Sequence, residues 1–141
     1  MTLKSLHLDV VSAEKVLYSG EALMIYATTE LGEVGIAPGH TQLLAMLKPG
    51  NIRATLVDGS EHIFYVSGGF LEVQPHTATV LSDTAVRAED LDEEAILLVE
   101  QAAKEALRGQ PETLEYAKAL IELAESAAQL QAIAKLRKRH H

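Results

Sequence analysis

The stretch Leu56-Val57-Asp58-Gly59-Ser60-Glu61-His62-Ile63-Phe64-Tyr65-Val66 decides the fold class. Asp58-Gly59 is a turn pair that tolerates positive backbone φ, and it is flanked by Leu56-Val57 and by Ile63-Phe64-Tyr65-Val66. That is the signature of a β-hairpin. Working outward, the period-two pattern recurs on both sides from Leu3 to about Leu81. Leu6, Leu8 and Val10 alternate with His7 and Asp9; Leu23, Ile25 and Ala27 form another alternating set, as do Ile52, Ala54 and Leu56. Val66-Ser67-Gly68-Gly69-Phe70-Leu71-Glu72-Val73 reads as strand, glycine break and strand, and Thr77 to Leu81 adds another. Pro38-Gly39 and Pro49-Gly50 bracket Thr41 to Leu47, which reads as a strand, with a short buried helical turn as the alternative. Many short strands with frequent turns indicate a β-sandwich or barrel.

The period changes after Arg87. Asp90 stands three residues before Glu93, the spacing of a capping box, with carboxylates where a helix dipole favours them. Ile96, Val99, Ala103 and Ala106 recur at helical spacing up to Gly109, a natural C′ residue. Pro111 suits the first turn of a second helix, whose inward set is Leu114, Ala117, Ile121, Ala124, Ala128 and Leu136. The short link predicts an antiparallel helical hairpin. The expected class is therefore α+β: an antiparallel β-sandwich or barrel over residues 1–87, then a two-helix hairpin over 88–141. Residues 88–141 hold twelve alanines against nine leucines, so the hairpin buries little apolar area and needs a partner surface.

Composition narrows the function classes. The 141 residues suffice for one average domain or two small units. The chain has no cysteine and no Trp, which excludes disulfides and thiolate metal sites and makes the core aliphatic. No apolar run approaches the ~20 residues of a membrane span, and Met1 to Ser12 lacks a signal-peptide pattern. A soluble, cytoplasmic chain is expected. The net charge of −8 is uneven: residues 1–87 carry −4, residues 89–125 carry −8, and residues 126–141 carry +4 from Lys135, Arg137, Lys138 and Arg139. An acidic chain with a basic tip is a poor nucleic-acid binder but suits an acidic patch on another protein. The plainer reading is a solvated helix end with cations facing the dipole.

Catalytic constellations do not survive inspection. The glycine-rich segment Gly32-Glu33-Val34-Gly35-Ile36-Ala37-Pro38-Gly39-His40 invites a phosphate cradle, but Gly39 is followed by His40-Thr41-Gln42 and strand-like sequence, not by Lys, Ser/Thr and a helix. The six histidines (His7, His40, His62, His76, His140 and His141) show no metal-ligand spacing, so no metal and no cofactor are expected. The terminal His140-His141 pair is either native or the remnant of an expression tag. Glu30/Glu33 and Glu93/Glu94 suit solubility and capping better than acid–base work. Ser67 before Gly68-Gly69 lacks a strand–Ser–helix elbow.

Taken together, Gly32-Glu33-x-Gly35-Ile36-x-Pro38-Gly39-His40, Lys48-Pro49-Gly50-x-Ile52-Arg53 and Val66-Ser67-Gly68-Gly69-x-x-Glu72-Val73 resemble the epsilon subunit of bacterial F-type ATP synthases. Leu8-Asp9-Val10-Val11-Ser12-Ala13-Glu14, Asp83-Thr84-Ala85 and Asp90-Leu91-Asp92 extend the resemblance over essentially the whole chain. It implies a non-catalytic central-stalk protein. Its sandwich would sit at the foot of the gamma subunit on the membrane rotor ring, coupling proton-driven rotation to ATP synthesis. The hairpin would fold against the sandwich or extend along gamma toward the alpha and beta subunits and brake hydrolysis. By the same resemblance Glu30, Gly32, Glu33 and Gly35 face the ring, His40 and Gln42 face gamma, and Lys135, Arg137, Lys138 and Arg139 form the inhibitory tail. Its implied location is the cytoplasmic face of the bacterial inner membrane. Some members bind ATP through Ile/Leu-Asp-x-x-Arg-Ala. Here the place holds Leu114-Glu115-x-x-Lys118-Ala119, and a longer carboxylate with no guanidinium fork predicts weak or absent binding at Glu115 and Lys118. The reading from another class is an independent ligand-binding β-sandwich with a dimerising hairpin.

Overall fold

The computed structural model describes residues 4–139, without the Arg139 side chain. The expected strand start at Leu3 and the His140-His141 pair lie outside the described residues. Eight strands come first: β1 Leu6–Ser12, β2 Val16–Thr29, β3 Gly32–Ile36, β4 Leu43–Leu56, β5 Glu61–Val66, β6 Gly69–Gln74, β7 Thr77–Ser82 and β8 Ala85–Arg87. A 3₁₀ turn, Ala88–Asp90, leads to helices α1 Glu93–Ala106 and α2 Leu114–Arg139. The strands run in the order β3-β2-β1-β7-β6-β4-β5-β8, and a further β2–β4 pairing folds the sheet onto itself as a sandwich. Pairing is antiparallel throughout except for β1 with β7, which is parallel.

The expected strand from Thr41 to Leu47 exists, but it does not stop at Pro49-Gly50. Its first half pairs with β6 through Leu47, and its second half, from Gly50 onward, pairs with β5 and β2. Pro49 has no N–H to give a ladder, so it fits the point where the strand changes partners. Gly50 permits that crossing, because a Cβ there would lie 2.9 Å from Thr28 Cβ. The inward residues form a core that is aliphatic apart from Phe64, including Leu6, Leu8, Val10, Ile25, Ile36, Ile52, Leu71 and Val80. At the hairpin that decides the fold class, Gly59 has φ +86°. The Asp58 carboxylate accepts from Ser60 N at 2.9 Å and from Ser60 Oγ at 2.6 Å.

The helical half differs from expectation at its caps. The α1 N-cap is Asp92, which accepts from Ala95 N at 3.2 Å, whereas Asp90 belongs to the 3₁₀ turn. Leu107 closes α1 in right-handed geometry, and Gly109 has no positive φ, so the glycine is not the expected left-handed cap. The second helix starts later than Pro111. Thr113 Oγ1 accepts from Tyr116 N at 3.1 Å and acts as the cap. The inward face of α2 is also rotated from the expected set. Leu114 and Ile121 are exposed, while Ala119, Ser126, Ala128, Ala132 and Ile133 are buried. These fall in two stripes: Ala119, Ser126 and Ile133 at heptad spacing, and Ala128 and Ala132 with half-buried Leu136. The second stripe packs with Ile63, Tyr65, Ala88 and Leu91. One helix serving two surfaces scrambles the single-stripe periodicity that sequence reading relies on.

Candidate functional site

The segment Gly32 to His40 is two turns joined by a short strand. Thr29 Oγ1 donates to Gly32 O at 2.7 Å and accepts from Leu31 N at 3.2 Å, fixing a tight β2–β3 turn. Glu30 and Leu31 stand at its tip, and Leu31 is 99% exposed. Gly32 needs its left-handed backbone (φ +114°) to close this turn. Gly39, at φ +86°, follows Pro38 in a second turn closed by His40 N donating to Ala37 O at 3.1 Å. Gly35 is extended; a Cβ there would approach Met24 Cε to 2.9 Å and the Tyr26 ring to 3.3 Å. The glycines therefore serve backbone shape and side-chain room, in keeping with rejection of the phosphate reading.

Of the four residues expected to face a ring, Glu33 has a neighbour the sequence did not reveal. It lies 3.9 Å from Arg53, which reaches Glu61 at 3.9 Å and stacks over Tyr26 at 4.5 Å from the ring centre. Glu33, Arg53 and Glu61 line an open cleft of about 580 Å³ whose other wall is Lys135 and Lys138. The basic end of α2 is thus folded back beside the sandwich's charged outer surface. Arg137 forms an ion pair with Glu93 in the first turn of α1. Three of the four tail cations are accordingly placed beside acidic residues in this docked arrangement; the Arg139 side chain lies outside the described residues.

His40 and Gln42 sit in the β3–β4 connection, where His40 Nδ1 lies 2.7 Å from Thr41 O. They lead into a surface that sequence reading missed. The register aligns Met46 with Phe70 and Phe70 with Leu81, and Leu81 with Val11, making an apolar row across four strands on the outer face. Leu44 adjoins it, and Leu44, Met46, Phe70 and Leu81 are 48–70% exposed. The signal was present in Leu43-Leu44-Ala45-Met46-Leu47, which is apolar on both strand faces, although an outward-polar strand should alternate. The hairpin also shows apolar side chains to solvent at Leu97, Leu98, Leu120 and Ile121. Glu115 and Lys118 are exposed on the first turns of α2, and Lys118 lies 4.0 Å from Glu122. Among the described residues no group of three or more His, Cys, Asp or Glu could hold a metal ion. None of the described helices is long and apolar enough to cross a membrane.

On β1–β2, His7 joins two carboxylates: Nδ1 lies 2.9 Å from Glu21 and Nε2 lies 3.3 Å from Asp9. The hydrogen bond with Glu21, aided by Asp9, raises the His7 pKa above its ordinary value. Hydrogen bonds from His7 and Ser5 lower that of Glu21.

A β-sandwich followed by a docked helical pair defines the class. Residues 5–88 match the family described as "ATP synthase, Delta/Epsilon chain, beta-sandwich domain". The ATP synthase epsilon chain of Nitrosococcus oceani is 53% identical over 135 residues, covering 96% of each chain. That of Thioalkalivibrio sulfidiphilus is 53% identical over 133 residues, covering 94% of each, and that of Legionella pneumophila (strain Corby) is 50% identical over 133, covering 94% of this chain and 95% of that one. The chain belongs to the ATP synthase epsilon-chain family, a family of non-catalytic subunits of the ATP synthase complex. Family membership displaces the independent ligand-binding module. The fold likeness reaches solved assemblies. A chain of the Euglena gracilis mitochondrial ATP synthase (OSCP/F1/c-ring, rotational state 1) superposes with a TM-score of 0.83 at 21% identity, covering 92% of this chain and 81% of that one. One of the Tetrahymena thermophila mitochondrial ATP synthase central stalk and c-ring does so at 0.60 and 13%, covering 94% and 99%.

Proposed function

We propose that the chain is a central-stalk subunit that couples proton-driven rotor rotation to ATP synthesis and brakes ATP hydrolysis through its helical hairpin. The observation that carries the docking role is the exposed apolar row Met46–Phe70–Leu81 with Leu44, continuous with the connection that bears His40 and Gln42. A contiguous apolar surface of this kind belongs against a protein partner, and the gamma subunit is the partner assigned here. The β2–β3 turn, with Glu30, Gly32, Glu33 and Gly35, is assigned to the rotor ring. The brake rests on the outward Leu97, Leu98, Leu120 and Ile121 and on the basic end Lys135, Arg137, Lys138 and Arg139, which would meet acidic segments of the alpha and beta subunits when α2 leaves the sandwich. On this reading residues 1–87 are the foot and residues 88–141 the regulatory unit. Tight ATP binding at Glu115 and Lys118 is not part of it, since Lys118 faces Glu122 and offers no bidentate fork. The assembly would lie on the cytoplasmic face of the bacterial inner membrane, with this chain peripheral.

The test uses the complete ATP synthase in membrane vesicles. Met46→Glu with Phe70→Glu, both at exposed positions, abolishes copurification with gamma while the isolated chain stays folded. Retained copurification removes the docking assignment. Replacing Lys135, Arg137, Lys138 and Arg139 by Ala raises hydrolysis several-fold and leaves synthesis in place; unchanged hydrolysis leaves a stalk without an electrostatic brake.

A further inference from the structure

The seam between α2 and the sandwich contains a defect. Asn51 on β4 and Tyr65 on β5 are directly opposed in register, on the outer surface that α2 covers. Tyr65 is fully buried, its ring packed among Ile63, Ala88, Ala128 and Ala132. Its hydroxyl has no hydrogen-bond partner among the described residues, and neither has the buried Oδ1 of Asn51. Burial raises the Tyr65 pKa, and Glu125 on α2 adds to that rise, so a carboxylate lies near the hydroxyl without receiving its hydrogen bond. The apolar return from α2 on this seam is small, because its deepest residues are Ala128 and Ala132.

We infer that this seam is tuned for release: burying the Tyr65 hydroxyl and Asn51 Oδ1 unpaired holds the docked hairpin close in free energy to the undocked one. Lifting α2 gives both polar atoms to water. An unpaired buried polar group costs enough to change an equilibrium by about tenfold or more, comparable to what a pair of buried methyl groups contributes. The sandwich core does not share the defect: its core cluster is apolar, and its buried Thr29 and Ser82 hydroxyls donate to the Gly32 and Thr84 carbonyls. Release is thereby confined to the helical half. The consequence for hydrolysis rests on the brake reading above; the property of the seam does not.

The deciding variant is Tyr65→Phe, which keeps the ring and deletes the orphaned hydroxyl. In hydrogen exchange on the full-length isolated chain, amides in the second half of α2 exchange about tenfold more slowly than in the parent, with exchange in β1 and β7 unchanged. Unchanged or faster exchange in α2 overturns the inference, because it means that the hydroxyl is satisfied in solution by Glu125 or by water. In the assembled complex the same variant raises hydrolysis by holding the hairpin down. Slower exchange with unaltered hydrolysis upholds the seam and removes the brake instead.

Discussion

Replacing Ala132 by Asp tests whether the helical half is held by the seam alone. Ala132 is 0% exposed and lies in the cluster of Ile63, Tyr65, Ala88 and Ala128. The apolar gain of docking can be gauged from its parts. On the hairpin side two alanine methyls contribute about 0.8 kcal/mol each, and half-buried Leu91 and Leu136 about 1 kcal/mol each, and the Tyr65 ring and Ile63 that they cover add about as much again. An unpaired carboxylate placed there costs about 3–5 kcal/mol, which, added to the orphaned Tyr65 hydroxyl and Asn51 Oδ1 at about 1–3 kcal/mol each, offsets the seam. The helix therefore leaves instead of adjusting. The stripe Ala119, Ser126 and Ile133 is untouched, so α1 and α2 remain paired, and the core of the sandwich keeps its contacts. Hydrogen exchange with mass spectrometry reads this directly: peptides over residues 125–138 and over β5 lose protection, while β1, β6 and β7 keep theirs. Thermal unfolding of the sandwich shifts by only a few degrees, about what a change of 1 kcal/mol produces in a domain of this size. Equal loss of protection everywhere would show that strands and helices unfold as one unit, and native protection in α2 would show that the seam is far stronger than its alanines allow.

Two further expectations follow from the strand half. Gly69→Ala puts a Cβ 2.0 Å from the Leu81 carbonyl oxygen on a backbone at φ +119°, so β6 and β7 must part; a loss above about 3 kcal/mol in a denaturant titration is expected. Gly32→Ala shares the positive φ but meets nothing within 4 Å, and costs only about 1–2 kcal/mol; equal losses for the two would discard the clash explanation. The His7 cluster predicts a pH dependence. Because its folded pKa is raised above 6.5, the stabilisation from charged His7 is present below that value and is lost as pH rises through the folded pKa. Glu21, lowered from 4.5, contributes above that value and fades as pH falls through its own folded pKa. His7→Gln should lower stability most between about pH 4.5 and 6.5 and least at alkaline pH; a His7 NMR titration midpoint at or below 6.5 would refute the pairing.

The reach of sequence reading differs between the two halves for a local reason. In the strands, the burial of a side chain is decided by the parity of its position, so Leu6, Leu8 and Val10 declare their face from alternation alone. Asp58-Gly59 declares its turn because few pairs accept that backbone. The same rules left Met46, Phe70 and Leu81 unconnected, since only register brings residues 46, 70 and 81 into one row. In the helices, Leu114 and Ile121 look like core by spacing and hydrophobicity, yet both are exposed. A helix facing two partners has two stripes, and nothing local states which residues belong to which.

The order of elements, the turns and the mainly aliphatic interior are legible along the chain, because those depend on φ preferences and periodicity within a few residues. Its motif spacing also carried the family resemblance. That Glu33 meets Arg53, that Lys135 and Lys138 line the same cleft, and that Asn51 Oδ1 and the Tyr65 hydroxyl lie unpaired beneath α2 is fixed by tertiary packing alone. These are contacts between segments far apart in the chain. They depend on how β4 crosses between its partners at Pro49-Gly50 and on how α2 rolls onto the strands, and no local propensity encodes either.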